Sequence, residues 1–137
     1  MLTTKLFAGL ASMLAVLVFV AKFRGLPPVL VYFDAIAALT CGAFAFTYFI
    51  AERWMKIPLR KALGLAQAGF IAASAVAFGV AAFVYPLLSS RTDAVSYYLL
   101  VALLGVSVAG YAIGCVLFAL NATWAILRYV RLLPQDK

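Results

Sequence analysis

Four largely apolar stretches alternate with short polar or charged ones along the chain: Leu6 to Ala21, Val29 to Glu52, Ala62 to Leu88 and Ala94 to Leu127. In helical form, ~20 residues rise ~30 Å, the thickness of a bilayer's hydrocarbon core. The first stretch is the shortest, but Lys5 and Lys22 at its ends can extend to opposite surfaces. The pattern predicts an all-α fold in one domain spanning 1–137, an integral membrane four-helix bundle with helices at about 5–22, 28–52, 60–88 and 94–127. The breaks between stretches carry the residues that end and start helices. Gly25, Pro27 and Pro28 separate the first two, and Pro58 is placed to open the third at its first turn. Ser89 to Asp93 forms a polar loop with Thr92 or Asp93 as the N-cap of the fourth.

The second stretch is the unusual one, because an acid lies within it. At helical spacing Asp34, Ala38, Cys41, Ala45, Tyr48 and Glu52 share a stripe. The other side, with Val31, Phe33, Leu39, Phe44 and Phe46, suits lipid. An ionised carboxylate at a helix centre costs ~2.5–3.5 kcal/mol on the insertion scale, so such a residue faces protein or water. Asp34 is therefore the candidate ion or proton relay. The structural alternative pairs it with Lys22, Arg24 or Arg91, or with a hydroxyl.

The third and fourth stretches carry small residues at intervals of four. Gly69 and Ala73, followed by Ala77, form one such row, and Gly110 and Gly114 form a GxxxG match. Small side chains let helix backbones approach closely where no hydrophobic drive pulls helices together. Ser107, Gly110, Gly114 and Asn121 make a small-and-polar stripe, and Gln67 stands at a depth similar to Asn121. Tyr48, Gln67, Ser107 and Asn121 are the candidates for polar contacts between helices. Gly69, Ala73, Gly110 and Gly114 are the candidates for close packing.

Composition agrees with this picture: 68% of the 137 residues are hydrophobic, against 45–50% in ordinary soluble domains. The net charge of +7 comes from residues at the edges of the apolar runs, where it sets orientation, so nucleic acid is not an expected partner. With the N-terminus inside, the cytoplasmic side holds Lys5, Arg53, Lys56, Arg60, Lys61, Arg128, Arg131 and Lys137. The other side holds only Lys22, Arg24 and Arg91, which selects N-in and C-in. A cleaved signal peptide at the N-terminus is the rival reading. Phe19, bulky and three residues before Ala21-Lys22, disfavours it.

The chain has no histidine, which removes His-ligated haem, His-based metal sites and Ser-His or Cys-His catalysis. Cys41 and Cys115 read as buried structural thiols. No converging set of reactive groups or phosphate loop is visible, so neither enzymatic activity nor a cofactor or metal is expected.

Three expectations follow. The first is a non-catalytic subunit or accessory component that packs against other membrane helices or another copy. The second is a small oligomeric proton- or cation-coupled transporter or channel using Asp34, with Thr40, Ser74, Ser107 and Asn121 as polar positions. A weaker third is recruitment of anionic lipid by the basic loop through Arg60 and Lys61. The expected partners are the bilayer and a membrane protein or second copy. Short loops and the absence of a targeting tract lean toward a bacterial inner membrane.

Overall fold

The computed structural model describes residues 2–57, 59–90 and 93–132, so Pro58, Arg91 and Thr92 lie outside the described residues. Among those described there are four α-helices and no strand: α1 (Leu2–Phe23), α2 (Pro28–Arg53), α3 (Lys61–Ser89) and α4 (Ala94–Leu132). All four are long and apolar enough to cross a bilayer.

Local chemistry sets the helix ends. After α1, Gly25 takes a positive φ of 69°. Its N–H donates to the Lys22 carbonyl (3.2 Å), and the Leu26 N–H reaches back to the Ala21 carbonyl (3.1 Å). This Schellman closure satisfies carbonyls that the helix leaves open, and it brings buried Leu26 beside buried Ala21. Pro28 then starts α2, at a position where a missing N–H costs no helical bond. Asp93 caps α4: its carboxylate accepts from the Ser96 backbone N–H (3.0 Å) and from the Ser96 hydroxyl.

Two helices run beyond their expected limits. α1 begins at Leu2 rather than Lys5, and α4 continues to Leu132 rather than Leu127. Arg131 in the last turn of α4 opposes its negative dipole end, which favours this extension. At 39 residues α4 is ~58 Å long, more than a bilayer core requires. α3 also passes through Pro86 before ending at Ser89.

Packing follows pairs. α1 lies along α2, α3 lies along α4, and α1 also touches α3. Large side chains bridge α2 to α4: Phe44 meets Phe118 at 4.2 Å between ring centroids, and Phe33 meets Tyr111 edge-on at 5.6 Å. Phe7 of α1 stacks on Tyr48 at 5.4 Å and meets the edge of Phe44. Phe7, Phe44, Tyr48, Tyr111 and Phe118 form one core with Leu14, Cys41, Ile71 and Ala75, and a smaller core at the other end gathers Ala21, Leu26, Phe78 and Ala82, with Phe33 packed against it.

The lipid-facing assignment on α2 needs correction. Leu39 and Phe46 do face outward, but Phe44 is buried, and Val31 and Phe33 are half-buried against the core. Filling the gap between α2 and α4 takes aromatic volume, and Phe44 and Phe33 supply it.

Gly110 and Gly114 set the separation of α3 and α4. A methyl group on Gly110 would stand 2.9 Å from the Phe70 carbonyl oxygen, and one on Gly114 would stand 2.5 Å from Ile71 Cγ1. Gly69 and Ala73 behave differently. Both are exposed, and nothing lies within 4 Å of a Cβ built on Gly69. Within this chain they join no helix pair. Ala68, Ile71 and Ala75 present the buried face of α3 instead.

Candidate functional site

The most connected buried polar group lies where α1 and α3 begin and α2 and α4 end. Tyr48, Gln67 and Asn121 are all at most 2% exposed. The Asn121 side-chain N–H donates to the Tyr48 hydroxyl (2.9 Å), which donates in turn to Gln67 Oε1 (2.8 Å). Asn121 also holds the α2–α3 connection. Its Oδ1 accepts from the Arg60 backbone N–H (3.1 Å) and its Nδ2 donates to the Arg60 carbonyl (3.4 Å). Arg60 precedes α3 and has no side-chain cap of its own, so a side chain from α4 orders the start of α3. Gln67 Nε2 and Thr4 Oγ1, both buried, have no partner among the described residues.

Gly64 makes this arrangement possible, and sequence reasoning missed it. A Cβ there would meet Thr3 Cγ2 at 2.9 Å and the Tyr48 hydroxyl at 3.4 Å. Its one sequence signal is that it sits three residues before Gln67, on the same helix face.

Ser107 pairs elsewhere. The Ser74 hydroxyl donates to the Ser107 carbonyl, and the two hydroxyls lie 3.3 Å apart, joining α3 to α4 nearer the middle of the bundle. Of the other polar positions, the Thr40 hydroxyl donates to the Ile36 carbonyl of its own helix at 2.7 Å, and its side chain also hydrogen-bonds Tyr111 of α4.

Asp34 stands apart from both groups. It is 1% exposed, and neither carboxyl oxygen has a hydrogen-bond partner among the described residues. The alternative pairing with Lys22 or Arg24 is therefore absent among the described residues, and Arg91 lies outside them. Both cations face outward, and the Arg24 guanidinium lies 4.5 Å from the centre of the Phe83 ring instead. Burial of Asp34 among the helices turns it away from the surface, where those side chains snorkel. Cys41, two turns further along α2, is buried in the core, and Cys115 packs beside that core. Both are free thiols. Among the described residues, no three His, Cys, Asp or Glu side chains converge as a metal-ligand set.

At the same end as the Tyr48 group, Trp124 of α4 holds two guanidinium groups. Arg60 lies 4.5 Å from its ring centre and Arg128 lies 5.3 Å from it. Between α2 and α4 an apolar groove of about 390 Å³ opens outward, lined by Phe46, Ile50, Met55, Leu59, Phe118 and Ile126 among others. No protein-family model matches the chain, and no curated protein or solved structure matches it either.

Proposed function

We propose that this protein is a non-catalytic component of a membrane assembly, a four-span bundle that packs against other membrane helices or a second copy. The carrying observation is the outward row Gly69 and Ala73. These small residues lie at the spacing that permits close helix approach, and no helix of this chain covers them. The inner polar residues support the same reading, because Tyr48 with Asn121 and Ser74 with Ser107 engage one another across helices. The basic residues cluster where α1 begins and α4 ends, which supports a reading with both termini on the cytoplasmic side. Short connections fit the inner membrane of a bacterium.

Gentle solubilisation followed by crosslinking tests the proposal. A stoichiometric partner or a homo-oligomer is expected, and Gly69→Trp should abolish the association while leaving the helical content intact. A protein that stays monomeric and crosslinks to nothing overturns it.

Asp34 favours a second reading, a proton or cation relay in a small oligomeric transporter. A sealed, unpaired carboxyl is costly in a helix bundle, and such residues mark ion and proton paths. Flux in proteoliposomes that is lost in Asp34→Asn supports this reading, and flux unchanged by the substitution removes it.

A further inference from the structure

We propose that Arg60, Trp124, Arg128 and Arg131 form a site for the phosphodiester headgroup of an anionic phospholipid. The inference takes the membrane placement above as given and does not depend on the protein-partner reading. Its basis is a cluster of like charges held in place by the fold. Trp124 is half-buried and serves as a fixed platform, with two guanidinium carbons within 5.3 Å of its ring centre. Arg128 reaches the ring because it lies one turn further along α4. Arg60 arrives from the α2–α3 connection, where the buried Asn121 amide holds its backbone at both N–H and carbonyl. Among the described residues, a cavity of about 260 Å³ beside the ring is lined by Trp124, Leu127, Arg128 and Arg131, none of them acidic.

The indole offsets part of the repulsion between the guanidinium groups, but it carries no net charge. An anion completes the site, and guanidinium groups match phosphate oxygens through paired N–H donors. Depth identifies the source. Trp124 and Arg128 straddle the end of the apolar run, at the level where tryptophan and basic residues meet lipid headgroups. A net negative lipid fits better than a zwitterionic one. The aromatic face that would receive a choline group already carries arginine, and three guanidinium groups repel a second cation.

The full chain is reconstituted in nanodiscs of phosphatidylcholine with a minor fraction of phosphatidylglycerol, extracted gently, and its retained lipid counted by native mass spectrometry. Phosphatidylglycerol is expected to be enriched at least three-fold over its bulk fraction. Arg60→Gln with Arg128→Gln should remove the enrichment. Arg53→Gln with Lys56→Gln, which deletes the same charge from the same end, should leave it. Circular dichroism and the melting transition of each variant establish that the bundle is intact. Should the Arg60 and Arg128 pair fail to fold, Arg131→Gln alone is expected to cut the enrichment at least two-fold. No enrichment in the wild type, or equal loss in the two double variants, overturns the site. Displacement of the lipid by inorganic phosphate, but not by sodium chloride at equal ionic strength, would make it a free-anion site and overturn the lipid assignment. Extraction of the protein by alkaline carbonate before reconstitution would instead overturn the membrane placement.

Discussion

Asn121 grips the backbone of Arg60 at two points, accepting from its N–H at 3.1 Å and donating to its carbonyl at 3.4 Å, while the same amide donates to Tyr48. One side chain of α4 thereby ties the start of α3 to Tyr48 of α2. Asn121→Leu removes all of these bonds and leaves the Tyr48 hydroxyl short of a donor. It is expected to destabilise the bundle by ~1–3 kcal/mol, read from unfolding in mixed micelles. Tyr48→Phe should cost less, ~0.6–2 kcal/mol, because the Asn121 contacts to Arg60 survive.

The two rows of small residues should respond in opposite ways. Gly110→Ala drives a methyl group against the Phe70 carbonyl, and Gly114→Ala drives one into Ile71. Each is expected to cost ~1–3 kcal/mol through overpacking, checked by thermal melting in detergent. Gly69→Ala meets no neighbour and should leave the isolated chain as stable as before, or slightly more stable through higher helix propensity.

Gly64→Ala presses on Thr3 and on the Tyr48 hydroxyl. Destabilisation by about 1–3 kcal/mol is expected in the wild-type background. Combining it with Thr3→Ser, which removes the methyl group 2.9 Å away, should recover part of that loss. Additive losses in the two single variants and the double variant would place the strain elsewhere.

Asp34 is a stability liability on its own geometry, since both oxygens are buried and have no hydrogen-bond partner among the described residues. Asp34→Asn is expected not to lower the melting temperature, in contrast to substitutions in the Tyr48 group. A loss of ~1 kcal/mol or more would mean that the carboxyl makes a stabilising contact in the membrane.

Orientation is open to direct measurement. With Cys41 and Cys115 replaced by alanine, Lys56→Cys should react with an impermeant maleimide only from the cytoplasmic side. Gly25→Cys and Ser90→Cys should react only from the opposite side. Lys56→Cys sharing a compartment with Gly25→Cys would break the four-span arrangement.

What the sequence determined by itself is the number of helices and that each is long and apolar enough to cross a membrane. Apolar runs of sufficient length, ended by Gly25 with Pro27 and Pro28, by the charged segment that carries Arg53, Lys56, Arg60 and Lys61, and by the capping Asp93, define four helices through local chemistry alone. Only the tertiary structure decided which faces meet. A helix in lipid is apolar all round, so periodicity no longer separates the core side from the outer side. That is why Gly110 and Gly114 lie inside while the equally spaced Gly69 and Ala73 lie outside, and why Phe44 is buried while Phe46 is not. The same holds for the polar groups. Tyr48, Gln67 and Asn121 could be named from their chemistry, but their meeting at Arg60, and the isolation of Asp34 from every described partner, depend on how four helices turn about their axes. No local rule of sequence fixes that rotation.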